Sequence, residues 1–310
     1  MHYINLQYTS EILMQKIKLY LFIIREILVN YIGYKLKIRS LFQRSKINNM
    51  SRSLEVDIYD KGIKHVKNIN KHIEKYSLDI KHKGVFLEMG PGGSLLHGIH
   101  KILEGWINYI GIDAFPSQVW SEYPQLLYKE LLTASPENLQ EKIKETIHSS
   151  MQQKGPLFYF GEHGLDNEDF MEKYKEGSID FIYSWGVLEH IEDPYEVFKK
   201  NYSLLSDNGY ILHVIDPHPH IWDRFKEPYI FLTIPKWVWD LMYKGRGFIN
   251  RIRASSYEKW ALQAGFKVIS NEKEVSKFNL DKFKDKICSS IKYEDTTDLK
   301  TDRLYLLLQK

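Results

Sequence analysis

The chain has 310 residues, 43% of them apolar, which fits one α/β domain of roughly 200–250 residues plus an extension. The formal net charge of +3 is unevenly placed: residues 1–46 hold eight Lys or Arg against Glu11 and Glu26, leaving the remainder mildly acidic. That balance excludes a general electrostatic nucleic-acid binder, and the single cysteine, Cys288, excludes an internal disulfide and suits a reducing cytoplasm.

The apolar run 19–24 is too short for a signal peptide or a membrane span, and Lys16, Lys18, Arg25 and Glu26 interrupt its surroundings. Residues 11–32 read as a helix with Leu13, Ile17, Tyr20, Leu21, Ile24, Leu28 and Tyr31 on one face. That face suits either packing on protein, the chain's own domain or a second copy in a homodimer, or a peripheral membrane contact through residues 11–46; packing is the favoured expectation. The basic stretch 35–46 and a polar linker, 45–54, complete an extension over residues 1–54. A domain is expected over 55–310, opening on a helix at 55–78.

From residue 84 strands and helices alternate, the pattern of a mostly parallel sheet. Strands are expected at 84–89, 107–113, 156–160, 178–184 and 209–215, with helices at 94–105 and 136–152. Asp193-Pro194 starts another helix as N-cap and first-turn proline. An aromatic insertion, 216–250, carries Trp222, Phe225, Tyr229, Phe231, Trp237, Trp239, Tyr243 and Phe248, and reads as a lid or as a small packed subdomain. Ser255 with Glu258 suggests a capping box, and Gly265 closes that helix. Segments 266–270 and 303–309 make a last, antiparallel pair. The expected fold is a Rossmann-like, doubly wound, mostly parallel seven-stranded sheet with an antiparallel last strand and an N-terminal helical extension.

The sharpest chemical signal is VFLEMGPGGSL (85–95), a strand ending at Glu88 and a loop with Gly90, Gly92 and Gly93 leading into a helix. Glycines let the backbone turn tightly and approach a ligand. A dinucleotide fingerprint wants Gly-x-Gly-x-x-Gly, but Leu95 stands at the third position. Glu88 beside the loop suits an ammonium group and would repel a pyrophosphate. Asp113, ending the second strand, suits ribose hydroxyls of either kind of cofactor, or simply caps the next turn.

Glu-Met-Gly-Pro-Gly-Gly (88–93), Gly-Ile-Asp (111–113), Ser-Ile-Asp-Phe-Ile-Tyr-Ser (178–184), Val-Leu-Glu-His-Ile-Glu-Asp-Pro (187–194) and SDNGYILHVID (206–216) occur in order at strand ends. Together, over residues 80–270, they resemble the class I S-adenosylmethionine-dependent methyltransferases. The resemblance implies S-adenosylmethionine as cofactor, with Glu88, Gly90, Pro91 and Gly92 at its methionine end and Asp113 at its ribose. It also implies adenine near Gly161 and Glu162, and Ser184 at the end of the fourth strand as a further cofactor contact. Ser94 departs from the usual third glycine.

Methyl transfer is an in-line displacement that often needs a base at the acceptor. Candidates at the carboxyl ends of strands four and five are His190, His213, Asp216, His218 and His220, with His220 favoured for its loop position. His190 also reads as a support for the cofactor pocket, and His213 as a satisfied core residue. Glu189, His190 and His213 could meet at a metal, but Gly186 replaces the first acid of the family's metal-binding form, so no metal site is assigned. Arg251 and Arg253 suit a phosphate or carboxylate on the acceptor, or solvent. Ser184-Trp185-Gly186 stands where DNA amino-methyltransferases carry an Asp/Asn-Pro-Pro-aromatic turn.

The expected activity is methylation of a small-molecule or glycan acceptor at oxygen, in the polysaccharide or small-molecule modification class and with no nucleic-acid partner. The alternatives are an NAD(P)-dependent Rossmann oxidoreductase and a non-catalytic cofactor-binding subunit. The expected location is cytoplasmic, with contact to the inner face of the membrane if the N-terminal face is used that way.

Overall fold

The computed structural model describes residues 2–35, 64, 66–80, 83–115, 117, 119–120, 122–218, 222, 225, 227–243, 249–281 and 283–310. The linker 45–54, most of the basic stretch 35–46, His220 and Phe248 lie outside these described residues.

The strands are β1 (Val85–Met89), β2 (Asn108–Ile112), β3 (Leu157–Phe160), β4 (Ile179–Trp185), β5 (Leu205–Ile215), β6 (Lys267–Val275) and β7 (Thr301–Gln309). They form one sheet in the order β3-β2-β1-β4-β5-β7-β6. β7 runs antiparallel to β5 and β6, and the other pairs are parallel. The expected seven-stranded Rossmann-like sheet is therefore present. Strand order reverses between β1 and β4, where the crossovers leave to opposite sides, the place at which open α/β sheets bind ligands past the carboxyl ends of their strands.

The helices are α1 (His2–Lys35), α2 (66–75), α3 (Leu96–Leu103), α4 (Glu122–Ala134), α5 (Glu137–Met151), α6 (Glu168–Lys173), α7 (Pro194–Leu204), α8 (Lys236–Tyr243), α9 (Ala254–Gln263) and α10 (Thr296–Leu299). Strand periodicity sorts the core into two layers. Leu87, Met89, Ile182, Ile211 and Ile215 pack beneath Phe198 of α7 and Tyr257 of α9. Phe86, Tyr109, Phe181, Tyr183 and Leu212 pack with Ile69 of α2, Ile99 of α3 and Ile143 of α5.

The aromatic insertion builds a third core. Trp222, Phe225, Tyr229, Phe231, Trp239 and Tyr243 are buried with Phe22 of α1 and with Leu280, Phe283 and Ile291. These rings face one another: Trp222 stacks on Trp239 at 5.8 Å, and Phe22 meets Trp222 edge-on at 5.1 Å. They pack a subdomain, while Trp237 stays exposed.

Three local expectations change. The apolar face read for the N-terminal helix points outward: Leu13, Ile17, Tyr20, Leu21, Ile24, Leu28 and Tyr31 are all exposed. Phe22 and Glu26 are the buried residues of α1, and Asn30 donates to the Leu241 carbonyl of α8 at 2.8 Å. The helix is apolar on nearly every side, so periodicity alone could not select the packed face. No capping box forms at α9, because Asp298 supplies the cap from a distance. Its carboxylate accepts from Ser255 N at 2.9 Å and Ser255 Oγ at 2.5 Å, while Glu258 takes Asn271. Arg251 and Arg253 are not solvated. They are buried and donate to main-chain carbonyls, Arg251 to Phe231 and Ile234, Arg253 to Arg251 and Pro217.

Candidate cofactor and acceptor sites

The glycine loop stands at the reversal of strand order. β1 pairs Met89 with Ile112 on one side and with Ser184 on the other, so Gly90 and Asp113 leave the sheet level with Trp185, the last residue of β4. Gly90 N donates to the Ile112 carbonyl at 2.8 Å. Gly90 and Gly92 have φ of +72° and +74°, left-handed backbone that glycine adopts freely. Beside Gly90 the space is filled, and an added Cβ would sit 2.6 Å from Val187 Cγ2. At Gly92 and Gly93 an added Cβ would meet nothing within 4 Å. The loop is thus packed at its root and open at its crest, a cradle for a ligand.

Glu88 lies buried beneath that loop. Its carboxylate accepts from Tyr109 Oη at 2.5 Å and is bonded to His97 Nδ1 at 2.8 Å. Burial, then the Glu88 charge, pushes the Tyr109 phenol well above its usual pKa, so the phenol remains a donor. A buried anion held by fixed donors at the foot of the loop attracts a cation and opposes a phosphate.

Asp113 sits half-buried at the end of β2. Burial raises its pKa, against the opposing pull of the Phe115, Ala114 and Gly92 amides. Phe115 N bonds Oδ1 at 3.2 Å, so Asp113 does cap its own turn while facing the loop. The segment after β3 folds back beside it: Gly164 N donates to the Asp113 carbonyl at 3.1 Å. In that segment Glu162 and His163 both hold positive φ, +79° and +61°, and Asn167 Nδ2 reaches the Gly161 and Glu162 carbonyls. Two successive left-handed non-glycine residues are strained, as occurs where a loop is shaped for a ligand. A separate cleft of about 710 Å³ flanks edge strand β3 beside Trp120, Tyr159 and Lys173, and the glycine loop does not line it.

The candidates at the ends of β4 and β5 divide between core and surface. His213 is wholly buried, its Nδ1 2.7 Å from Ser184 Oγ and its Nε2 3.3 Å from Asn201 Nδ2. Burial lowers its pKa to about 3. A neutral imidazole with both nitrogens engaged joins β4, β5 and α7, and does not serve an acceptor at the surface. Ser184 is equally buried, with its hydroxyl committed to His213. His218 is buried against Tyr229 and Phe231 rather than solvated. His190 is exposed in the turn Leu188–His190, while Glu189 beside it is buried. Those two and His213 do not converge, and among the described residues no three His, Cys, Asp or Glu side chains gather as metal ligands.

Asp216 is paired with Arg303 Nε at 2.8 Å, and the guanidinium lies 5.2 Å over the half-buried Trp185 ring. Arg303, His97 and Tyr109 were not singled out from the sequence, and Trp185 was named only within the Ser184-Trp185-Gly186 turn. β7 pairs Tyr305 with Val214 and Leu306 with His213, which brings Arg303 beside the end of β5 from 87 residues away. Asn250 was not singled out either. It staples the acceptor-side turn by donating from Nδ2 to the Leu188 and Ile191 carbonyls at 2.8 and 2.9 Å.

Residues 63–271 match the family described as a methyltransferase domain. Solved structures similar to the chain include the S-adenosylmethionine-dependent methyltransferase from Mesorhizobium loti, at 13% identity over 73% of this chain and 90% of that one, TM-score 0.37. Two others are the trans-methyltransferase CalH bound to S-adenosylhomocysteine (11% identity, 76% and 53%, TM-score 0.36) and the [4+2]-cyclase SpnF (11% identity, 79% and 80%, TM-score 0.43). No curated protein matches the chain in sequence. The family match spans well over half of the chain and contains the glycine loop, Asp113 and the ends of β4 and β5. The chain belongs to the methyltransferase-domain family.

Proposed function

We propose that the protein transfers a methyl group to an oxygen of a small-molecule or glycan acceptor. The observation that carries the cofactor end is the open crest at Gly92 and Gly93 above the buried Glu88 anion. S-adenosylmethionine supplies an electrophilic methyl group on a sulfonium and bears an ammonium but no phosphate. Glu88, Gly90, Pro91 and Gly92 hold its methionine end, Glu88 giving the electrostatic complement. Asp113 takes the ribose hydroxyls, and the Glu162 segment borders the adenine. Ser184 acts at one remove, fixing the end of β4 through His213.

For the acceptor end, the support is the Trp185 ring with the Asp216–Arg303 pair beside it. A flat aromatic surface suits a sugar face, and a carboxylate accepts hydrogen bonds from hydroxyl groups. The absent Pro-Pro-aromatic turn and the distance of Cys288 from β4 in the chain disfavour nucleic-acid bases. The proton acceptor is drawn from His190 and His220. Asp216 and Arg303 position the acceptor.

Two outcomes test these roles. Asp113→Ala should weaken S-adenosylhomocysteine binding by about 1–3 kcal/mol in calorimetry. An unchanged affinity would remove Asp113 from the site. Once a labelled methyl group has been traced into a hydroxylated acceptor, His220→Ala should slow turnover about 10²–10⁴-fold at saturating cofactor. Activity within a few-fold of wild type would move the role to His190. Label found in nucleic acid or protein instead would refute the acceptor class.

A further inference from the structure

The N-terminal helix presents two faces with different fates. One is docked: Phe22 enters the aromatic core of the insertion, Glu26 is buried, and Asn30 bonds to α8. The other carries Leu13, Ile17, Tyr20, Leu21, Ile24 and Leu28, which expose between 42% and 63% of their surface. Six large apolar side chains in a continuous outward stripe cost free energy in water, and soluble monomers rarely leave such a patch uncovered.

The charges around that stripe identify its occupant. At 100° per residue the six residues span an arc of about 100°, centred opposite the docked face. Lys16 falls about 40° beyond one edge, and Arg25 and Lys18 fall about 40–60° beyond the other. Basic side chains therefore flank the stripe on both sides, long enough to lie along an apolar surface and place their charge at its rim. Glu26 is the one acid in residues 13–31, and it sits on the docked side, paired with Arg25 at 3.1 Å. The sequence that follows continues the bias: residues 27–54 contain no Asp or Glu, but hold Lys35, Lys37, Arg39, Arg44, Lys46 and Arg52.

A second copy of the chain meeting this face would bring Lys16, Lys18 and Arg25 toward the same cations, which opposes the contact. Anionic headgroups reverse that sign. No described helix is long and apolar enough to cross a bilayer. We propose that the outward face of α1 is a docking surface for an anionic lipid bilayer. The helix is held in the interface plane by the apolar stripe, and the catalytic domain is carried on its opposite side. This inference does not depend on the acceptor proposed above.

Co-sedimentation of the full chain with vesicles tests it. The protein should pellet with phosphatidylglycerol-containing vesicles, less with pure phosphatidylcholine, and less again at high salt. The double variant Leu21→Glu/Ile24→Glu should lose at least about tenfold in partitioning. Because both side chains are exposed, it should keep its far-ultraviolet circular dichroism and its affinity for S-adenosylhomocysteine. A milder variant, Lys16→Gln/Lys18→Gln, should lose about fivefold for each charge removed. Wild-type protein remaining in the supernatant with anionic vesicles would overturn the proposal. So would a stripe variant that pellets like wild type. A concentration-dependent dimer, abolished by the stripe variant and formed without vesicle binding, would assign the face to a second copy.

Discussion

Replacing Gly92 with alanine should weaken S-adenosylhomocysteine binding more than tenfold while costing only about 1 kcal/mol of stability, that of one left-handed alanine. The φ of +74° supplies the small strain. The new methyl group would enter space that no protein atom occupies within 4 Å, so the folded protein has little to rearrange. A ligand approaching the loop backbone does meet it. Gly90→Val should behave in the opposite order. Its Cβ would lie 2.6 Å from Val187 Cγ2 on backbone of φ +72°. Left-handed strain for a β-branched residue adds to overpacking, together about 3–5 kcal/mol, and the fold should fail before binding can be measured. Urea unfolding beside calorimetry separates the two. If Gly92→Ala binds like wild type, the loop crest is not where the cofactor lies.

Acid should unfold the protein through its buried imidazoles. The folded pKa of His213 is about 3, against 6.5 for the free side chain. Above pH 6.5 neither state is protonated and stability is complete. Below it the unfolded chain takes up a proton that the folded chain refuses, so stability falls as pH drops from 6.5 toward 3. By pH 5 this amounts to roughly 2 kcal/mol from His213. His100, lowered to about 4 by burial, adds a similar loss. His213→Gln, which keeps an amide within reach of Ser184 and Asn201, should flatten the slope between pH 6.5 and 5 by about 1 kcal/mol per pH unit. An unchanged slope would mean that His213 is not the buried neutral group described.

Strands were legible from the sequence because parallel strands buried on both faces read as short apolar runs, as in Val85–Met89 and Ile179–Trp185. The glycine loop and Asp113 were legible because the same few residues are bound to the end of a strand and its turn. Helix α4 was not expected, and it contains Pro124. The proline stands in the first turn of Glu122–Ala134, where its lost N–H has no partner to lose. Helix α6 is too short for periodicity and rests on its Asn167 cap, which accepts from Phe170 N at 3.0 Å. The face of α1 was misjudged for a different reason: both its sides are apolar, and which one packs is decided by Trp222 and Phe225, some 200 residues later. The aromatic insertion posed the same ambiguity, since a lid and a packed core call for the same rings.

At the site, the residues that sequence could not supply are those brought by distant strands. Arg303 reaches Asp216 only because β7 runs antiparallel beside β5. Tyr109 and His97 reach Glu88 only because β2 and α3 close over one face of β1. His213 shows the reverse limit. Its strand position marked it as core as readily as catalytic, and burial with Ser184 and Asn201 decides for core.

The central claim is that the loop above Glu88 holds S-adenosylmethionine and not a dinucleotide. Calorimetric titration of the wild-type protein with S-adenosylhomocysteine and, separately, with NADH tests it most directly. Saturable heat with S-adenosylhomocysteine and none with NADH is the predicted result. Binding of NADH, with no heat from S-adenosylhomocysteine, would contradict it.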